Sequence, residues 1–251
     1  MKVLFLFGLF IIGAIFGSFA CCQAWRLRYK SQGKPSLGNR SVCMRCGAKL
    51  KWSDNIPIIS WLMLGGRCRY CHHKIGIAEI LSEIGLALAF LLIGLTFWDQ
   101  WILLTAYSIF AVLLCILAVY DAKWGELPLS ILLASVIMGV AILICNYPIN
   151  WLSAIGGIAI LSGTYFLLYI VSNEKWVGGG DWILGLALSL ALSNWWLSLW
   201  VLFIANISAV LIAMPISLKK HQNKIHFGPF LIVSFILVLA FAKFINGLIF
   251  I

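Results

Sequence analysis

Two carboxylates and four thiols have the residue types and spacing for chemistry. Asp121 lies in Tyr120-Asp121-Ala122-Lys123-Trp124-Gly125-Glu126-Leu127-Pro128, and Asp181 follows directly on Gly178-Gly179-Gly180. Two carboxylates held close together do not both ionise easily. A pair sharing one proton can activate a water and protonate a leaving amine. The glycines before Asp181 would let a substrate backbone approach closely. Cys43-Met44-Arg45-Cys46 and Cys68-Arg69-Tyr70-Cys71 form the pattern C-x2-C-x21-C-x2-C. Each pair is a short knuckle presenting two thiolates, and two knuckles complete a tetrahedral four-sulfur shell that suits Zn²⁺. A closed shell of this kind is structural: the metal would fold a loop too small for a core of its own. His72 and His73 adjoin the last thiol and read as solvated neighbours.

These groups must be positioned by a very apolar chain. Of 251 residues, 63% are hydrophobic and 10% charged, and mean hydropathy is +1.04. That composition excludes a soluble globular fold and predicts an all-α polytopic membrane protein with a small zinc-binding loop domain. Apolar runs fall at about 3–22, 76–97, 102–120, 128–145 and 151–171, then at 182–214 and 228–250. The first reads as a membrane span and not a cleaved signal peptide, since only Lys2 precedes it. The run 182–214 has 33 residues. As one helix it would measure about 50 Å, against a bilayer core of about 30 Å. The polar pair Ser193-Asn194 before Trp195-Trp196 splits it into 182–192 and 195–216, which makes about eight transmembrane helices. The piece 182–192 is too short to cross alone, so irregular backbone near Gly178-Gly179-Gly180 must pack on protein or line a cavity.

Charge orients the spans. There are 18 Lys+Arg against eight Asp+Glu, a net of +10. In a soluble protein this excess would suggest nucleic acid. Here it marks loops kept inside, so the expected partner is the lipid bilayer and no nucleic acid. Residues 23–77 alone hold Arg26, Arg28, Lys30, Lys34, Arg40, Arg45, Lys49, Lys51, Arg67, Arg69 and Lys74. With eight spans, Lys123, Lys175, Lys219, Lys220 and Lys224 join them, and only Lys2 and Lys243 fall elsewhere. The N-terminus is then outside. The chain divides into a first span (1–22), a cytoplasmic loop with the thiols (23–77) and a membrane core (78–251). Asp121 and Asp181 fall at one cytoplasmic depth. Glu79 and Glu83, one helical turn apart on the second span, either pair with loop cations or line the site. Cys21, Cys22, Cys115 and Cys145 read as small buried residues.

The motifs in order resemble a known family. Leu50-Lys51-Trp52-Ser53-Asp54-Asn55-Ile56-Pro57-Ile58-Ile59-Ser60-Trp61-Leu62, followed by Gly66-Arg67-Cys68-Arg69-Tyr70-Cys71, resembles the cytoplasmic loop of type IV prepilin peptidases. Gly17-Ser18-Phe19 is similar to their first-span motif. The Asp121–Pro128 spacing and the Gly178–Asp181 run, a GxGD signature, are similar to their two catalytic motifs. Phe227-Gly228-Pro229-Phe230 is similar to their PFGP motif. The resemblance implies a membrane aspartic peptidase of the bacterial cell membrane with its site facing the cytoplasm. Such enzymes cut the basic leader from type IV prepilins or pseudopilins. Many also methylate the new N-terminus with S-adenosylmethionine. It implies Asp121 and Asp181 as the catalytic pair and Cys43, Cys46, Cys68 and Cys71 as ligands of a structural zinc; Gly178, Gly179, Gly180, Glu79 and Glu83 are read from their own placement as support. Lys123, Leu129, Ile183 and Cys21 depart from the commonest pattern and are similar to the branch serving competence pseudopili in Gram-positive bacteria.

Two other classes use the same residues differently. An ion-coupled transporter could use an acid pair within the membrane, but would leave the thiol loop unexplained. A non-enzymatic scaffold would use the zinc module to recruit a partner and carry inert aspartates.

Overall fold

Long apolar stretches in a bilayer must satisfy every backbone N–H and C=O internally, and the helix does so. The computed structural model describes residues 1–33, 41–43, 45–174, 177–213 and 226–247, and among these no strand occurs, only two isolated bridges. Met44, Lys34, Arg40, Lys175, Lys219, Lys220 and Lys224 lie outside the described residues, so part of the charge pattern does too. Five helices are long and apolar enough to cross a membrane: Lys2–Ser31, Ile77–Thr96, Trp101–Trp124, Trp151–Ser172 and Trp195–Ile212. Three further apolar helices are shorter: Leu129–Cys145, Gly179–Leu192 and Gly228–Ala240. The chain is thus an all-helical membrane protein, with an apolar helix at each of the eight predicted runs.

The chain forms two compact units, Met1–Gly94 and Leu95–Ile251. The first holds α1 (Lys2–Ser31), the short α2 (Ile59–Met63) and all but the end of α3 (Ile77–Thr96). α1 runs nine residues past the expected end of the first span at Cys22, because Trp25 to Lys30 bring no Gly or Pro to stop it. Its 30 residues make about 45 Å of helix, longer than the apolar core of a bilayer, with Arg28 and Lys30 in its last turn. α1 presses closely on α3. A Cβ on Gly17 would meet the Ser82 carbonyl oxygen at 2.5 Å and the Glu83 Cα at 2.6 Å. Absence of a side chain at Gly17 is what lets the two backbones approach.

The second unit holds α4 (Trp101–Trp124), α5 (Leu129–Cys145), α6 (Trp151–Ile158), α7 (Thr164–Ser172), α8 (Gly179–Leu192), α9 (Trp195–Ser208), α10 (Gly228–Ala240) and α11 (Ala242–Gly247). A π-helical turn, Ala159–Gly163, joins α6 to α7 as one rod. α8 lies at the centre, packed by α5, the α6–α7 rod, α9 and α10, with Leu184 to Leu192 nearly all buried. This resolves the short span. Fourteen residues do not cross a bilayer alone, but α8 is packed in protein over most of its length. α5 comes so close that a Cβ on Gly139 would lie 2.6 Å from the Ala187 carbonyl oxygen.

The predicted break after Leu192 is real and has a local cause. Ser193 is left-handed at φ 53, and Asn194 caps α9, its Oδ1 accepting from the Trp196 N–H (2.9 Å) and the Leu197 N–H (3.2 Å). Asx side chains at such positions satisfy the first orphan donors of a helix.

Candidate active site and candidate metal centre

Asp121 sits in the last turn of α4, one turn before Gly125 ends that helix in the left-handed region at φ 66. Asp181 sits in the first turn of α8. Both are buried, 6% and 9% exposed, in a chain where few charged side chains are. The two carboxylates interact electrostatically with one another. The structure therefore brings together the two acids that the sequence singled out.

Each carboxylate is held by a glycine amide. The Gly178 N–H donates to Asp181 Oδ2 at 3.1 Å within the turn that starts α8. A carboxylate at a helix N-terminus also meets the positive end of the helix dipole. Asp121 receives its donor from far along the chain: the Gly228 N–H at the start of α10 reaches Asp121 Oδ2 at 2.9 Å. A Cβ on Gly228 would stand 2.9 Å from that same oxygen, so a side chain here would have to displace the Asp121 carboxylate. The third helix end at the site was visible in the sequence only as a motif without a role.

The glycines before Asp181 have neighbours. A Cβ on Gly180 would meet Leu127 Cβ and Cδ1, each at 2.8 Å, and one on Gly179 would meet the Tyr169 ring at 3.5 Å. Gly180 thus packs the start of α8 onto the Asp121–Pro128 segment, where Leu127 fills the room beside it. This contact and the Gly228 hydrogen bond lock the two aspartate-bearing segments into one end of the unit.

In the Met1–Gly94 unit, two loops of the same build carry the thiols. Cys43 N donates to Ala48 O (2.9 Å) and Gly47 N to Cys43 O (2.8 Å). In the second loop Cys68 N donates to His73 O (2.9 Å) and His72 N to Cys68 O (3.0 Å). The flanking bridges, Val42 with Lys49 and Arg67 with Lys74, match as well. Gly47 (φ 70) and His72 (φ 53) occupy the same left-handed position of the two turns, so His72 is a turn residue and stands outside the thiol cluster. Asp54 clamps the module: its Oδ1 accepts from Arg69 Nε at 2.8 Å, and its Oδ2 from Lys51 N at 3.2 Å.

The four Sγ atoms lie within 4.8 Å of one another, and Cys43 Sγ is 3.8 Å from Cys71 Sγ. A tetrahedral shell with Zn–S bonds of about 2.3 Å has sulfur–sulfur edges of roughly 3.8 Å. The donor set and its size fit, and the cluster could hold a metal ion. The His73 amide draws the Cys71 thiol down, but burial and hydrogen bonds from Cys46, Cys68 and Cys43 outweigh it and push the thiol up to about 11. A cation among the four would reverse that balance.

Glu83 is buried in α3 and accepts from the Ile58 N–H at 2.7 Å and from the Ser18 hydroxyl. Ile58 is itself in the left-handed region at φ 64, so Glu83 fixes a strained turn of the loop. Glu79 stands one turn earlier on α3 and interacts electrostatically with Glu83.

Comparison with known proteins matches both halves of the chain. Residues 11–97 match the Bacterial Peptidase A24 N-terminal domain, and residues 108–214 match the Type IV leader peptidase family. The prepilin leader peptidase/N-methyltransferase of Vibrio cholerae serotype O1 is 34% identical over 194 residues, covering 72% of this chain and 75% of that relative. This chain belongs to the type IV leader peptidase family. A relative of the same name from Dichelobacter nodosus is 30% identical, covering 77% of this chain and 68% of its own. One from Dickeya chrysanthemi is 28% identical and covers 91% of this chain and 90% of its own. No solved structure matches the chain. Membership makes the protein a membrane peptidase, and it favours that class over the transporter and the scaffold.

Proposed function

We propose that this leader peptidase uses Asp121 and Asp181 as an aspartic catalytic pair that cuts the leader of type IV prepilins or pseudopilins at the cytoplasmic membrane face. One observation carries the reading: two buried carboxylates from the two family motifs interact, and each is held by a glycine amide. One aspartate, ionised, takes a proton from a water that attacks the scissile carbonyl. The other, protonated, polarises that carbonyl. The C–N bond then breaks as the proton held by the pair passes to the leaving amine, which leaves a free leader carboxylate and a new N-terminus.

Eight spans with the N-terminus outside put this pair on the side where basic leaders lie, and the five long and three short apolar helices support that count. The bacterial cell membrane is the expected location. In this scheme 1–22 is the first span, 23–77 the cytoplasmic loop and 78–251 the peptidase core. Cys43, Cys46, Cys68 and Cys71 hold one structural zinc, which supplies the fold of the loop and no step of the cleavage. Gly178, Gly179 and Gly180 shape the start of α8, and Glu83, with Glu79 beside it, holds the loop turn at Ile58. Methylation of the new N-terminus by S-adenosylmethionine is the second half of the relatives' printed name, and it is a separate activity.

The test is to incubate membranes bearing the protein with a candidate prepilin and to read product mass, which reports cleavage and methylation together. Asp121→Asn and Asp181→Asn should each abolish cleavage at unchanged abundance. Full cleavage by either variant overturns the pair.

A further inference from the structure

The rod formed by α6 and α7 is not a continuous α-helix: five residues, Ala159–Gly163, take a π-helical turn. Such turns are rare, forgo the regular hydrogen-bond spacing of the helix, and are frequent at functional sites. Nothing in the proposed chemistry uses this one. It lies against α8. A Cβ on Gly185 would touch Leu161 O and Ser162 Cα, each at 3.4 Å. Gly185 comes four residues after Asp181, so the turn meets the face of α8 on which Asp181 stands.

Ser162 is the polar residue of the turn and is buried, at 6% exposure. A buried serine in a helix ordinarily donates to a carbonyl three or four residues back in its own helix. Ser82, Ser135 and Ser189 do so, bonding Glu79 O, Ile131 O and Leu186 O. Ser162 instead crosses to the next helix: its hydroxyl donates to Trp182 O at 3.0 Å. Trp182 directly follows Asp181 in the first turn of α8. One turn along the rod from Ser162, Phe166 meets the Trp182 ring edge to face at a centroid distance of 5.3 Å. Trp182 is thus gripped at its backbone and at its ring from one rod. The Gly178 amide fixes the Asp181 carboxylate only relative to its own turn. Ser162 ties that turn to a neighbouring helix by a directional bond.

We propose that Ser162 is a positioning residue of the acid pair: its hydroxyl, presented by the π turn, fixes the first turn of α8 and so sets where Asp181 stands against Asp121. The proposal rests on the reading of Asp121 and Asp181 as the working pair. Apolar packing permits a helix to slide and turn a little, whereas a hydrogen bond prefers one length and direction. An offset of about 1 Å in a reacting group can cost roughly a hundredfold in rate. A bond to the residue beside Asp181 is therefore felt in turnover and not in substrate binding.

The experiment measures prepilin cleavage kinetics for Ser162→Ala and Ser135→Ala, beside Asp121→Asn and Asp181→Asn. Ser162→Ala removes the hydroxyl and leaves the packing of the turn. It should lower kcat about threefold to tenfold, the range of one neutral hydrogen bond, with KM unchanged. Ser135→Ala removes another buried hydroxyl, one bonded within α5, and should leave kcat and KM unchanged. An unchanged kcat in Ser162→Ala, a loss carried by KM, or an equal loss in Ser135→Ala would each overturn the proposal. If the Asn variants are inactive while Ser162→Ala is fully active, only the role of Ser162 falls. If an Asn variant is fully active, the catalytic pair itself falls.

Discussion

In the Met1–Gly94 unit, two short turns gather four thiols, each turn bringing two of them three residues apart. In the Leu95–Ile251 unit, the ends of α4, α8 and α10 gather two carboxylates, and the donor to Asp121 comes from a residue 107 positions away. The first cluster is made by turn geometry and would persist if distant helices shifted. The second exists only while three helix ends stay in register. A site built locally fails locally, and a site built by packing is exposed to every contact that sets the packing.

Experiments can break that contrast or sharpen it. The largest effect belongs to Asp121→Asn and Asp181→Asn, where cleavage should drop at least about a hundredfold, as expected for loss of a general acid or base. Metal content should not change. Next is Gly228→Ala, which sets a methyl group 2.9 Å from Asp121 Oδ2. Cleavage should fall about tenfold to a hundredfold, as for a lost hydrogen bond to a charged group, and metal content should again hold. Metal loss in that variant would mean that the two regions are not independent. Cys68→Ser probes the other side: metal analysis should fall from about one zinc per chain to none, and the 41–74 loop should become open to protease. Its cleavage should stay well above that of the Asn variants.

Smaller effects test the anchors. Glu83→Ala leaves the Ile58 N–H without its partner and should destabilise the first unit by about 1–3 kcal/mol, seen as a lower denaturation midpoint, with part recovered by Glu83→Gln. Asn194→Ala removes the α9 cap. It should cost about 1 kcal/mol of stability and leave cleavage unchanged. A larger loss of activity there would show that the far end of the unit also controls the dyad.

Legibility followed the same division. The thiol module could be read from spacing, since ligands three residues apart imply their own geometry. The acid pair needed topology, because residues 60 positions apart meet only if the spans between them alternate correctly. The break at Ser193-Asn194 was legible because capping chemistry is local. Three things were not. The central placement of α8 depends on side chains from four other helices, and hydropathy alone showed only that the segment was short. Gly228 was visible as part of a motif, yet an amide hydrogen leaves no compositional trace of what it donates to. Glu83 was read as a partner of loop cations or a lining of the site, while its partner is a backbone amide in a loop 25 residues upstream.

The Gly228 hydrogen bond also bears on how the protein is made. A ribosome delivers Asp121 and Asp181 to the membrane well before it delivers the amide that completes the first of them. A chain halted after α9 would hold both acids and lack that last donor. Proteolytic competence should therefore arrive late in biosynthesis, when α10 inserts, and a half-made enzyme would pass through the translocation machinery without cutting what it meets there. Stalled chains of defined length, tested for cleavage before and after residue 228 emerges, would time that step.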